Sequence, residues 1–285
     1  MLKLLLFLGR LPEPVLYALA HLAYVLLFYV FRYRRKTVMR NLQRAFPEKS
    51  DRERLKLTKQ FYRHLSQVMV EIPMLSSMDI ARLQRHVQLD GVEHMQALAD
   101  NNQSFIVLAA HQANWEWMFA ILSHCCPCPM DALYRPIHQP GVDAFFRLIR
   151  TQFGSAMLPA NDAPKGILRK RKRLSAFGMI ADQTPRRRDP QCWLDFMGNR
   201  TAVVTGPDRI AQMTGYPVLF ITCERQSRGQ YHCVIRPLTE APYDTPDKVA
   251  TAYMQAIETQ IRQQPAHWLW SHRRWRFKEN APVRQ

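Results

Sequence analysis

Downstream of Gly91 the chain alternates short apolar runs with helical stretches, and that alternation restricts the fold more than any other feature of the sequence. Runs of strand character fall at 104–110, 130–134, 156–158, 176–181, 218–223 and 232–235. Stretches of helical character lie between them at 115–124, 142–153, 163–172 and 208–214. Strands separated by helices predict an α/β sheet covered on both faces. Upstream, residues 37–46 (TVMRNLQRAF) place apolar residues at helical spacing. A longer helix is expected over 51–72, capped at Ser50 or Asp51 and stopping before Pro73. A last helix is expected over 245–262, ahead of Pro265. With 285 residues the chain is long enough for one large core and too short for two catalytic domains. It contains no internal repeat or low-complexity tract.

The N-terminus is of another kind. Residues 15–31 read VLYALAHLAYVLLFYVF, interrupted only by His21, and Pro12 and Pro14 mark a helix start just before. About 20 apolar residues cross a bilayer, so 11–31 either spans the membrane or lies deep in one leaflet. Tyr17, Tyr24 and Tyr29 suit an interfacial position. No small-x-small cleavage site follows, which argues against a signal peptide. Arg32, Arg34, Arg35, Lys36 and Arg40 come next, a cluster that stays cytoplasmic by the positive-inside rule, with Lys3 and Arg10 weaker on the other flank. The expected organisation is an anchor with its basic flank over 1–36 and a catalytic domain over 37–285.

Forty Lys and Arg against 23 Asp and Glu give a net charge of +17. Such a field attracts nucleic acid, anionic lipid, phosphorylated substrates or an acidic protein alike. A nucleic-acid reading asks for a basic face interleaved with stacking aromatics and a known module. The hydrophobic N-terminus accounts for the charge better, so a membrane partner is expected and nucleic acid is not. The run Lys165, Arg169, Lys170, Arg171, Lys172, Arg173 is a solvated helix face or a dock for anionic lipid or an acidic carrier protein. The six cysteines read as reduced thiols. Cys125 and Cys128 lack a second ligand pair at zinc spacing, so no metal is expected.

The segment that carries chemistry is SFIVLAAHQANWEWMF, residues 104–119. A buried strand ends at Ala110, His111 opens a short loop, and Asn114 is placed to cap a helix from Trp115. Ligand sites in open α/β sheets form at such carboxyl ends. Glu116, in the first helical turn, is expected to fold back onto the imidazole. A carboxylate on one ring nitrogen fixes the tautomer and leaves the other to take a proton from a hydroxyl. A loop histidine beside a glutamate favoured by the helix dipole is the plainer reading of the same residues.

The stretch resembles the H-x4-E/D motif of the late lipid A acyltransferases of Gram-negative bacteria, the lauroyl and myristoyl transferase family. Five further blocks agree in order: RKTVMRNLQRAFPE at 35–48, YRP at 134–136, ADQ at 181–183, FMGNRTAVVTGPDRIA at 196–211 and WLWSHRRWRF at 268–277. Gln112 and Ala113 stand where Phe-Gly is often found. The resemblance covers essentially the whole chain. It implies a glycerolipid-acyltransferase-like sheet covered by helices, behind an N-terminal membrane helix at the inner membrane, with the catalytic domain facing the cytoplasm. It implies transfer of a fatty-acyl group from an acyl-carrier-protein or coenzyme A thioester to a hydroxyl of a lipid A precursor, with no cofactor. A lysophospholipid or another envelope lipid is the alternative acceptor. His111 and Glu116 are the implied catalytic pair. Arg135 is the candidate for an acceptor phosphate or the developing oxyanion, and Asp182 and Gln183 for orienting substrate. Thr205, Gly206 and Arg209 are candidates for anion binding, with Thr205 capping a helix whose first turn holds Pro207.

Overall fold

The computed structural model describes residues 1–187, 189, 191–277 and 279. In chain order the helices are α1 (Leu2–Gly9), α2 (Glu13–Val25), α3 (Arg35–Ala45), α4 (Asp51–Leu75), α5 (Ile80–His86), α6 (Val92–Asp100), α7 (Trp115–Cys125), α8 (Pro140–Thr151), α9 (Ala163–Lys170), α10 (Gly206–Thr214) and α11 (Lys248–Gln263). The strands are β1 (Val87–Asp90), β2 (Phe105–Ala109), β3 (Met130–Tyr134), β4 (Ala156–Pro159), β5 (Ala176–Ile180), β6 (Gln191–Phe196), β7 (Asn199–Val204), β8 (Val218–Ser227) and β9 (Gln230–Thr239).

Among the described residues seven strands form one sheet in the order β1-β9-β8-β2-β5-β3-β4. All neighbouring pairs are parallel except β8 with β9, which are antiparallel. The expected α/β sheet is therefore present, and its parallel centre is buried on both faces: every residue of β2 is buried. One core lies on the face where Ile106, Leu108 and Phe177 meet α10 and α11, the other where Val107 and Ala109 meet α7. This split follows from the period-two alternation of strand side chains.

The sequence reading omits three strands. β1 is a four-residue edge, too short to show a pattern. β6 and β7 form a hairpin closed at Met197 and Gly198, both at positive φ (51° and 68°). That geometry suits a tight two-residue turn, but Met-Gly lacks the Asn-Gly or Asp-Gly signal. The helix expected to stop before Pro73 runs on to Leu75. Pro73 removes one N–H from the last turn, and burial of Pro73, Met74 and Leu75 offsets the loss. At the other end of α4 the expected cap is present: Ser50 and Glu53 form a capping box.

α2 continues as a π-helical turn, Leu26–Val30, and Glu13–Val30 is long and apolar enough to cross a membrane. It does not stand away from the domain. α2 lies antiparallel along α4, Tyr17 donating to Glu71 at one end and Phe28 packing on Tyr62 at the other. Leu16, Ala20, Tyr24 and Phe28 are buried, while Val15, Leu19 and Leu22 are exposed. Each large side chain buried there contributes about 1.5–3 kcal/mol. α1 meets the end of α4 at Gly9, where a Cβ would stand 2.2 Å from the Pro73 carbonyl oxygen, so only glycine permits the approach.

Candidate active site

β2 delivers the chain to the carboxyl edge of the sheet, and the loop from Ala110 to Asn114 turns it into α7. Asn114 caps that helix as expected, its side-chain oxygen accepting from the Trp117 amide at 3.1 Å. The loop is clamped from behind by the C-terminal segment. The Ala113 amide donates to His267 O at 3.0 Å, the Leu269 amide donates to His111 O at 3.1 Å, and Gln112 bridges Trp268. Ala113 takes a left-handed φ of 52°, where a non-glycine residue costs about 1–2 kcal/mol. These bonds, with His64 Nε2 at 3.3 Å from Ala113 O, hold it there.

The partner of His111 differs from the expected one. Its Nδ1 lies 2.6 Å from Asp182 Oδ1, and its backbone amide donates to Asp182 Oδ2 at 2.9 Å. Asp182 is fully buried just past the end of β5, next to β2 in the sheet, and Trp268 Nε1 donates to it at 2.8 Å. Burial opposes ionisation of this carboxyl, but the His111 charge and hydrogen bonds, with that of Trp268, bring it below its ordinary range. Glu116 does not fold back onto the imidazole. It is buried against Arg150 of α8, with Nη2–Oε1 at 2.6 Å and Nε–Oε2 at 2.9 Å, and it accepts from Trp115 Nε1 at 3.1 Å. Helix geometry explains the difference: the first turn of α7 aims Glu116 at α8, while the next strand of the sheet brings Asp182 to the ring. Burial would lower the Arg150 pKa, and the Glu116 pair outweighs it.

With Nδ1–H donating to Asp182, His111 Nε2 is the nitrogen left to accept a proton. The Gln183 amide nitrogen is 3.3 Å from it. The ring lines a cavity of about 950 Å³. That cavity brings together His111, Glu116, Arg135, Gln183, Gly206 and Arg209, as well as Arg150 and Arg186. Arg135 is exposed and pairs with Asp189 at 3.0 Å. Thr205 departs from its expected place: it precedes α10, but its side chain makes no capping bond and is buried outside the cavity lining. Pro207 does fall in the first turn as expected.

Sequence reasoning missed Arg150, which nothing in the α8 sequence marks. Nor does anything in the C-terminal block by itself show that Trp268 donates to the site. Trp268 and Trp270 are fully buried, so the C-terminal block is a clamp on the site. The ADQ block is legible in the chain, but nothing local marks its aspartate as the carboxylate on the histidine. The two residues are 71 apart in sequence and meet only through strand pairing.

The fold and this site define an α/β protein with a carboxylate-paired histidine on the carboxyl edge of its sheet, opening onto a largely apolar cavity. Residues 1–277 match the family described as bacterial lipid A biosynthesis acyltransferase. The chain is 26% identical over 271 residues to the lipid A biosynthesis palmitoleoyltransferase of Escherichia coli, covering 94% of this chain and 87% of that one. It is 24% identical over 278 residues to the lauroyltransferase of lipid A biosynthesis from the same organism, covering 96% and 90%. A lipid A biosynthesis acyltransferase of Haemophilus influenzae is 23% identical over 234 residues, covering 81% and 72%. The chain belongs to this family and is an acyltransferase of lipid A biosynthesis. Membership implies an acyl donor and a lipid A precursor as acceptor.

Proposed function

We propose that the chain transfers a fatty-acyl group from an acyl-carrier-protein thioester to a hydroxyl of a lipid A precursor, with His111 as general base. The observation that carries this reading is one imidazole with Nδ1 on a buried carboxylate and Nε2 on an apolar cavity. The acceptor hydroxyl gives its proton to Nε2 as its oxygen attacks the thioester carbonyl carbon. The tetrahedral intermediate then collapses, the C–S bond breaks, and the thiol leaves with that proton. Asp182 keeps the ring in the productive tautomer and steadies the imidazolium. Glu116, catalytic by resemblance, acts here through Arg150: the pair holds a guanidinium at the cavity wall, suited to the developing oxyanion. Arg135, Arg186 and Arg209 line the same cavity and suit the phosphates of the acceptor.

The proposed location is the cytoplasmic face of the inner membrane. α2 lies along α4 for its length, so its outer face, Val15, Leu19 and Leu22, with Leu4 and Phe7 of α1, would enter one leaflet. The basic cluster at Arg32, Arg34, Arg35 and Lys36 would face anionic headgroups. The test is transfer by the purified protein in detergent from acyl-carrier protein and from coenzyme A to a lipid A precursor, read by mass spectrometry. Transfer from the carrier protein that disappears in His111→Ala is the expected result. Equal use of coenzyme A would refute the donor assignment, and turnover by folded His111→Ala would refute the base.

A further inference from the structure

The sheet comes apart next to His111. The β3–β5 ladder holds three pairs, from Met130↔Ala176 to Ala132↔Gly178, and stops. The flanking ladders continue, β2–β5 to Ala109↔Ile180 and β3–β4 to Tyr134↔Pro159. Beyond Gly178 the two strands therefore belong to different halves of the sheet. The cavity fills the opening, with Leu133 and Tyr134 on one lip, Met179 and Ile180 on the other, and Ala132 and Gly178 at the root.

One arm of the cavity descends on the α7 side. Glu116, Phe119 and Leu122 recur at helical spacing along its wall, and Val107 and Gly178 form the sheet side. From Glu116 to Leu122 the helix rises about 9 Å. Gly178 sits in this arm for want of a side chain alone. It is a strand residue outside the positive-φ region, so no backbone strain calls for glycine. A Cβ there would meet Phe119 Cε2 at 3.4 Å and Met130 Sδ at 3.9 Å, ordinary contact distances that would occupy the arm without moving the strand. On the opposite face of the sheet the lining is formed by α10, where Arg209 stands among Gly206, Pro207, Ile210 and Met213.

We infer that the α7-side arm holds the hydrocarbon chain of the donor thioester and that Gly178, with Leu122 deeper in the arm, sets the chain length transferred. This rests on the acyl-transfer reading above and deepens it. An apolar arm that ends in a packed core discriminates chains by size: a methylene too many meets side chains that cannot withdraw, and one too few leaves space unfilled. The α10 side, where Arg209 can meet a phosphate, is left to the acceptor.

The experiment compares kcat/KM for decanoyl, lauroyl, myristoyl and palmitoyl thioesters of acyl-carrier protein, with a lipid A precursor held constant. Wild type, Gly178→Ala, Gly178→Leu and Leu122→Ala are measured side by side. Gly178→Leu should move the preference to shorter chains by about tenfold or more in the ratio of adjacent donors. Gly178→Ala, the variant least able to disturb folding, should move it the same way by less, and Leu122→Ala should move it toward longer chains. An unchanged ratio in active variants would overturn the inference. So would a rise in acceptor KM at constant donor ratio, which would give the arm to an acceptor chain. Failure of wild type to transfer from any thioester would instead overturn the reading on which the inference rests.

Discussion

At the scale of single residues the chemistry turns on which carboxylate serves His111. A base with its tautomer fixed by Asp182 predicts that His111→Ala lowers kcat by about 10²–10⁴. Asp182→Asn should cost nearly as much, because its amide can present a donor to the nitrogen that must itself donate. The double variant should be scarcely worse than His111→Ala, since groups acting as a unit are not additive. Glu116→Gln and Arg150→Met should form a second non-additive pair, uncoupled from Asp182 in a double-mutant cycle; strong coupling between Glu116 and His111 alone would restore the pairing expected from sequence. Three further histidines respond to pH. Burial holds His64 well below its ordinary pKa and puts His267 and His272 at about 4. The unfolded chain therefore binds protons that the folded one refuses as pH falls from 6.5 toward 4. Their contribution to stability is complete above pH 6.5 and is lost through that window, by at most about 1.4 kcal/mol per pH unit for each. Glu71, raised by burial, works in the opposite sense above 4.5. Denaturant midpoints measured from pH 7.5 to 5 should thus fall in wild type and fall less in His267→Gln; parallel curves would contradict the assignment.

At the scale of elements the N-terminal helices and α4 act together. The carboxylate of Glu71, on α4, accepts from Tyr17 of α2, from Tyr231 of β9 and from Asn114, the cap of α7. The helix that would meet the membrane is thereby tied, through one buried carboxylate, to the loop that carries His111. Removing residues 1–34 exposes the α4 surface that Leu16, Ala20, Tyr24 and Phe28 cover. The expected result is aggregation on size-exclusion chromatography without detergent. A monomeric, folded, soluble domain would show that the helices are a detachable anchor. A reporter active only outside the cytoplasm, fused at the C-terminus, should be silent, and strong activity would refute the proposed orientation.

Over the whole molecule two dense basic runs stand out within the net charge of +17, the flank at 32–36 and the helix at 165–173. On α9 and the turn after it, Lys165, Arg169, Arg171, Lys172 and Arg173 are exposed, while Lys170 pairs with Asp131. If this run steers an acidic carrier protein, changing Lys165, Arg169 and Arg171 to Ser should raise the donor KM at low salt. The effect should fade as salt screens the attraction. An unchanged KM with weaker binding to anionic vesicles would assign the run to the lipid surface.

Local pattern was enough wherever the physics is local. Short apolar runs and helical spacing located six of the seven strands of the main sheet and the helices between them, because strands buried in a parallel sheet are continuously apolar and each helix must bury one face. The Asn114 cap, and the start of α4 to within Ser50 or Asp51, were legible because a helix end is satisfied by residues within a turn of it. The motif around His111 likewise stood out in the chain. Three decisions required tertiary structure. Asp182 rather than Glu116 meets the imidazole because parallel pairing sets the ends of β2 and β5 side by side. α2 lies along the catalytic domain because its buried stripe fits α4, which hydropathy alone does not distinguish from a stripe facing lipid. The cavity exists because β3 and β5 stop pairing at Gly178, and the register of two strands over 40 residues apart is written in neither of them separately.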